Sequence, residues 1–201
     1  MKLDLVLGGV GGQGVLSLAQ VLDRCAMARG WDFRQSEVHG MAQRGGAVSS
    51  HLRISDTPIF SVLIPRGGAD LLLSVEPMEA LRLRPYLKEG GALVANVAPV
   101  ANVPDYPEPA ALRDALAAIP GAVLLDADRL ARQAGSPRAA NMVVLGAAVP
   151  YLPFSREELT ETIARLFAAK KPDRTRINLA AFEAGIEAGA SCGVPKARQR
   201  T

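Results

Sequence analysis

The chain has 201 residues, of which 49% are hydrophobic, 4% aromatic and 21% charged, with a formal net charge of +3; it is long enough to bury one substantial core, and nothing forces a division into two. The cationic excess gathers late, at Lys170, Lys171, Arg174, Arg176, Lys196, Arg198 and Arg200, as a solvated terminus without the stacking aromatics of a nucleic-acid platform, so no nucleic-acid partner is expected. Cys25 and Cys192 stand far apart and outside any CxxC pair, which excludes a disulfide framework, a zinc site or an iron–sulfur cluster held by this chain alone.

The first predicted element is a strand over Leu3-Asp4-Leu5-Val6-Leu7, running into glycines. From Gln13 to about Ala28 the apolar residues Val15, Leu18, Val21, Leu22 and Cys25 recur at helical spacing. Strand, glycine-rich turn and helix open a βαβ unit. Val48 to Ile54 and Ile59 to Ile64 read as strands joined by Ser55-Asp56-Thr57-Pro58, predicting a β-hairpin around that turn. Short apolar runs recur over residues 70–75, 92–95 and 122–125, as expected of strands covered on both faces in a parallel sheet. Residues 97–109 are proline-rich and predict a surface loop. Ser155-Arg156-Glu157-Glu158 is a capping box that opens a helix, and a last helix is expected from about Thr175 to Ala188. The expected fold is therefore α/β and Rossmann-like: a mainly parallel sheet flanked by helices, with a β-hairpin insertion. One domain is expected over residues 1–190, with a helical C-terminal extension from about residue 153 and a flexible basic tail over 191–201. No signal peptide or membrane-length apolar run is visible, so a cytoplasmic protein with no membrane partner is expected.

Gly9, Gly11 and Gly14 have the GxGxxG spacing, with Gly12 and Gln13 between them, directly after a strand and at a helix start. Such a turn can bring backbone N–H groups to a phosphate at the positive end of a helix. It can equally serve only tight turning and close helix–sheet packing. Glu37 stands where a dinucleotide domain has its ribose-binding acid, but it leads into a polar, glycine-bearing loop rather than the next helix, which argues against a standard dehydrogenase. That loop gathers Ser36, Glu37, His39, Gly40, Gln43, Arg44, Gly45 and Gly46, and is expected at the carboxyl end of the sheet, where open α/β sheets bind ligands. Arg44 can present a guanidinium to phosphate or carboxylate, or pair with Glu37 to hold the loop. His51 is expected to be a satisfied hairpin residue rather than a catalyst. Asn141 can cap a helix start or face the cleft, capping being the simpler role. No residue is identified as a catalytic acid, base or nucleophile, and none as a metal ligand.

Gly9-Val-Gly-Gly-Gln-Gly14, Ser36-Glu-Val-His-Gly-Met-Ala-Gln-Arg-Gly-Gly46, Ser50-His-Leu-Arg53, Ala69-Asp-Leu-Leu-Leu73, Glu76-Pro-Met-Glu-Ala-Leu-Arg82 and Asn141-Met-Val-Val-Leu-Gly146 together resemble the beta subunits of indolepyruvate:ferredoxin oxidoreductases. They also resemble the gamma subunits of the pyruvate and ketoisovalerate enzymes. The resemblance implies a non-thiamine-binding subunit of a complex that oxidatively decarboxylates a 2-oxoacid to an acyl-CoA and passes electrons to ferredoxin. It implies a larger alpha-type partner carrying thiamine diphosphate, Mg2+ and [4Fe–4S] clusters, since this sequence has neither the GDG…N signature nor cluster cysteines. CoA is expected at a shared cleft, to which Gly9, Gly11, Gly12, Gln13, Gly14, Ser36, Glu37, His39, Gly40, Arg44, Gly45, Gly46 and Asn141 would contribute. The alternatives are a free-standing nucleotide- or flavin-binding oxidoreductase, a non-catalytic interaction module of the same fold, and, for assembly, a homodimer of the isolated chain.

Overall fold

A computed structural model describes residues 1–40, 45–168 and 172–192. Strand β1 (Lys2–Val10) is buried along nearly its whole length, Asp4 included. The chain then turns through glycines into helix α1 (Val15–Ala28), whose Val15, Leu18, Val21, Leu22 and Cys25 face the core. Next come β2 (Asp32–His39), β3 (Ala47–Ser55) and β4 (Ala69–Ser74), then α2 (Pro77–Leu83), β5 (Leu87–Asn96), α3 (Pro109–Ala117) and β6 (Ala122–Leu125). The chain finishes with α4 (Ala127–Ala134), α5 (Ala140–Ala148), α6 (Arg156–Ala168) and α7 (Pro172–Ser191).

The six strands form one sheet in the order β2-β3-β1-β4-β5-β6. β1, β4, β5 and β6 pair in parallel, whereas β3 is antiparallel to both β1 and β2. The architecture is thus α/β with a mostly parallel sheet flanked by helices. The hairpin, however, is not where the sequence placed it. β3 pairs with the preceding β2, in register from Asp32 opposite Ser55 to His39 opposite Val48, and the expected second arm over residues 59–64 is irregular chain. The run misleads because its apolar residues do not alternate across a pleat: Ile59 and Ile64 are buried while Phe60, Val62 and Leu63 between them are exposed, and Pro58 and Pro65 limit ladder donors at its ends. Ser36, Glu37 and His39 accordingly belong to strand β2 rather than to a loop.

The C-terminal helices form a layer of the core. α5 is buried at every position, packed between the sheet and α7. That approach demands glycine: a Cβ on Gly146 would lie 2.0 Å from the Phe182 carbonyl oxygen, and one on Gly185 would lie 2.0 Å from that of Val143. Leu159, Ile163 and Phe167 of α6 and Ala181 and Phe182 of α7 join the same apolar cluster as β1 and α1. The capping box forms as predicted, with Glu158 N donating to Ser155 Oγ (3.2 Å) and Ser155 N donating to a Glu158 carboxylate oxygen (2.6 Å). The Glu158 carboxylate also holds the Arg29 guanidinium through two bonds of 2.7 and 2.6 Å, tying α6 to the end of α1.

Candidate functional site

The site is built from the β1–α1 turn outward. Gly9 is explained by packing, since a Cβ there would come within 2.4 Å of Val75 and 2.8 Å of Val15. Gly12 and Gly14 take positive φ values of 102° and 78°, which side-chain-bearing residues rarely adopt. The Gly11 amide donates to the Gly46 carbonyl (2.8 Å), the Gly45 amide to the Gly11 carbonyl (3.1 Å) and the Gln13 amide to the Val10 carbonyl (3.1 Å). The amides of Gly12, Gly14, Val15 and Leu16 have no acceptor among the described residues. They are the donors that remain for an external anion at the positive end of α1.

Gln13, expected as part of the binding turn, holds that turn in place: its Oε1 accepts from Val10 N (2.9 Å) and its Nε2 donates to the Val75 carbonyl (3.1 Å), clamping the turn to the end of β4. Asn96 Nδ2 donates to the same carbonyl (3.1 Å), and its Oδ1 accepts from Ala98 N and Ala127 N. Glu76, fully buried, caps α2 through Glu79 N (2.8 Å) and accepts from the Tyr106 hydroxyl. Burial, and next the Glu76 carboxylate, push the Tyr106 hydroxyl pKa upward, so that it remains a donor. Glu79 beside it is also raised, by burial that the nearby Arg82 only partly offsets. These contacts fasten residues 97–108 over the ends of β4 and β5. Asn102 Nδ2 carries the fastening further, to the Gly45 carbonyl.

Two clefts open on either side of the turn and share Gly12, Gly14 and Ser17. One, of about 490 Å³, is lined by Val10, Gly11, Gln20, Glu37, His39 and Val48 among others. Its acidic and imidazole side chains are Glu37 and His39, 3.9 Å apart. The other, of about 510 Å³, is lined by Ser136, Arg138, Asn141, Phe167, Arg174 and Asn178 beside the shared residues. It carries two guanidinium groups and no carboxylate, and neither arginine side chain has an ion pair or hydrogen bond among the described residues. Asn141 joins this cleft to the turn, with Nδ2 donating to the Gly14 carbonyl (3.0 Å) and Oδ1 accepting from Met142 N (2.9 Å). The N-cap of α5 is Ala139 rather than Asn141.

The structure therefore brings the Gly9–Gly14 turn together with Glu37, His39, Gly45 and Gly46 on one side and Asn141 on the other. Ser36 faces the side of the sheet that carries His51, its register partner. Gly40 ends the described part of that strand connection, and Gln43 and Arg44 lie outside the described residues. His51 is a packed residue: Nδ1 accepts from Ile64 N (3.1 Å), the Tyr86 ring meets it edge-on, and burial lowers its pKa toward the neutral form. Sequence reasoning missed Arg138, Arg174, Ser136 and Asn178. In the sequence Arg174 reads with the basic tail, whereas its place in the first turn of α7, lining one cleft with Ser136 and Arg138, is a matter of long-range packing.

Among the described residues, no three His, Cys, Asp or Glu side chains converge on a point that could hold a metal ion. Cys25 is buried with Sγ directed at Thr162 Oγ1 (3.2 Å), and Cys192 lies just beyond the end of α7. Neither fits a role as a cluster ligand held with other cysteines of this chain. No described helix is long and apolar enough to cross a membrane.

Comparison with known proteins identifies this arrangement. The profile of the pyruvate ferredoxin/flavodoxin oxidoreductase family matches residues 4–188. The indolepyruvate oxidoreductase subunit IorB of Thermococcus kodakarensis is 36% identical over 197 residues, covering 93% of this chain and 96% of that one. Among solved structures, the gamma subunit of a keto/oxoacid ferredoxin oxidoreductase from Geobacter sulfurreducens shares the fold with a TM-score of 0.68 at 24% identity, covering 94% of this chain and 99% of its own. A 2-oxoglutarate:ferredoxin oxidoreductase from Magnetococcus marinus, solved with 2-oxoglutarate, coenzyme A and succinyl-CoA, matches 98% of this chain with only 32% of its own, at a TM-score of 0.75 and 21% identity. The chain belongs to the pyruvate ferredoxin/flavodoxin oxidoreductase family, in the group of the IorB subunits of indolepyruvate oxidoreductase.

Proposed function

We propose that this chain is the non-thiamine-binding subunit of an indolepyruvate:ferredoxin oxidoreductase, in which an arylpyruvate is decarboxylated to an acyl-CoA and the electrons pass to ferredoxin in the cytoplasm. Thiamine diphosphate, Mg2+ and the [4Fe–4S] clusters belong in this reading to a larger alpha-type subunit. This chain contributes no described metal-ligand cluster and has two isolated cysteines. Its own part is to complete the assembly and to hold an anionic portion of a reactant, most simply a phosphate of CoA.

The observation that carries this role is the cleft whose described lining has no carboxylate and joins the guanidinium groups of Arg138 and Arg174 to Gly12 and Gly14, all without side-chain or amide partners among the described residues. Phosphate oxygens would accept from both sets of donors, and the positive end of α1 adds to the attraction. Phe167 and Ile177 supply an apolar wall to the same cleft. The alternative of a free-standing dinucleotide enzyme is disfavoured by the sheet order. β3 stands between β1 and β2, so Glu37 is two strand spacings, roughly 10 Å, from the strand that feeds the turn.

The test is CoA affinity in the reconstituted enzyme. Arg174→Ala is expected to weaken CoA binding by about 1.5–3 kcal/mol, the loss of a charge-assisted hydrogen bond, with the apparent Tm of the chain unchanged because the side chain is exposed. Arg174→Lys recovers part of the loss, keeping the charge without the planar fork. Wild-type CoA affinity in the alanine variant would remove the cleft from the reaction.

A further inference from the structure

The sheet is covered unevenly. On one face α1 lies against β1, β2 and β3. On the other, α2 packs on β1, β4 and β5 and α3 on α2 and β6, while over β2 and β3 an irregular strap, residues 56–68, crosses where a helix would complete the layer.

The strap has no strand pairing, yet side chains of β2 and β3 hold it. Ile59 N donates to Asp32 Oδ2 (2.8 Å), and Arg34 Nε donates to the Ile59 carbonyl (3.3 Å). Arg53 Nη1 donates to the carbonyls of Ser61 (3.1 Å) and Leu63 (3.2 Å), while its other nitrogens grip the Asp4 carboxylate at 2.8 and 3.1 Å. Ile64 N donates to His51 Nδ1 (3.1 Å).

Held at both ends, the strap turns Phe60, Val62 and Leu63 outward, with Phe60 98% exposed. Val38, 60% exposed, lies on the same face of β2 as Arg34, as the two-residue alternation of the strand dictates. Scattered apolar residues on a surface are ordinary. A fixed, fully exposed aromatic flanked by aliphatic residues on an otherwise uncovered sheet face is the form of an interface anchor.

What covers it is indicated by chain length and charge. In the Magnetococcus enzyme this fold spans 32% of a longer chain, so about two thirds of a larger polypeptide is joined to it covalently. The IorB relative is itself named a subunit and is covered over 96% of its length, so in the reading of this chain as such a subunit the corresponding mass is a separate partner. Arg66 and Arg84, at the strap's end and at the segment it bonds through Gly67 N to the Pro85 carbonyl (3.0 Å), are exposed and have no ion pair among the described residues.

We propose that the strap-bearing face of β2 and β3 docks the larger subunit of the oxidoreductase, with Phe60 entering an apolar pocket whose rim carries carboxylates. The proposal rests on the reading of this chain as a subunit. It is tested by titrating the purified larger subunit with the chain in a calorimeter. Phe60→Asp is expected to raise the Kd at least a hundredfold and Leu63→Asp at least tenfold. Arg66→Glu is expected to weaken binding more at low than at high salt. Met27→Asp, on exposed α1 surface, leaves the Kd unchanged. The thermal midpoint of each variant alone stays at the wild-type value, which separates docking from folding. Wild-type affinity in both Phe60→Asp and Leu63→Asp would overturn the proposal. So would light scattering showing that Phe60→Asp splits a homodimer of the isolated chain while the larger subunit still binds, since the occupant would then be a second copy. A wild-type chain that fails to bind the larger subunit would instead overturn the subunit reading itself.

Discussion

Gly185→Ala tests whether the C-terminal helices belong to the fold's core or merely lean on it, because two known effects of the substitution have opposite signs. In a loosely packed helix, replacing glycine by alanine stabilises by about 1 kcal/mol. Here the added Cβ would sit 2.0 Å from the Val143 carbonyl oxygen and 2.8 Å from its carbon. Both belong to backbone, so no side-chain rotation relieves the clash, and α5 and α7 must separate by on the order of 1 Å within an interior packed like a crystal. Overpacking of this kind costs about 1–3 kcal/mol, with backbone displacement at the upper end. After the propensity gain, the net expectation is a loss of about 2 kcal/mol. Urea denaturation followed by circular dichroism reads it as a lower midpoint with an unchanged slope. Because Arg174 and Asn178 stand on α7, CoA affinity in the reconstituted enzyme should fall as well. A Gly185→Ala protein as stable as wild type, or more stable, would refute the close packing of α5 on α7.

Asp23, on α1, has a carboxyl pKa raised to about 7 by burial, and its Oδ1 has no hydrogen-bond partner among the described residues. The folded state therefore favours the protonated form, and this group's contribution to stability falls as pH rises from about 4 to 7. Asp23→Asn should remove that slope and raise stability at pH 8 by about 1–2 kcal/mol, a figure discounted because the side chain is partly solvated. Equal midpoint shifts between pH 5 and pH 8 in wild type and variant would contradict it. Glu76→Gln exchanges a buried acceptor of several donors for an amide that satisfies fewer. It should cost about 1.5–3 kcal/mol and speed amide exchange at Ala98 and Val100. Unchanged exchange there would show that Glu76 does not fasten the loop.

Much of this architecture could be read from the sequence, and the exceptions share a cause. The β1 run, the helical spacing of α1 and the Ser155–Glu158 capping box are local patterns, and each appears where its residues place it. The partner of β3 is not local. Residues 59–64 have strand composition, but the ladder goes to β2, across the Ser36–Gly46 segment, because β1 and β2 can flank β3 and bury Leu52 and Ile54, whereas the later segment carries prolines and is held by side chains. The glycine turn was visible as a motif, but which of its amides remain free was not. That depends on Gly45 and Gly46 bonding back to Gly11. The guanidinium-lined cleft was hidden for the same reason, since Arg138 and Arg174 become neighbours only through the packing of α7 on α5 and α4.

In the proposed role this chain is necessary to the oxidoreductase and insufficient for its reaction. The most direct measurement is indolepyruvate- and CoA-dependent reduction of ferredoxin by the purified chain, by the larger subunit, and by the two mixed. The expected result is no turnover by this chain alone, little by the larger subunit alone, and full activity that saturates as this chain is added to the larger subunit. Substrate-dependent reduction by the isolated chain, or a larger subunit already fully active without it, would contradict the account.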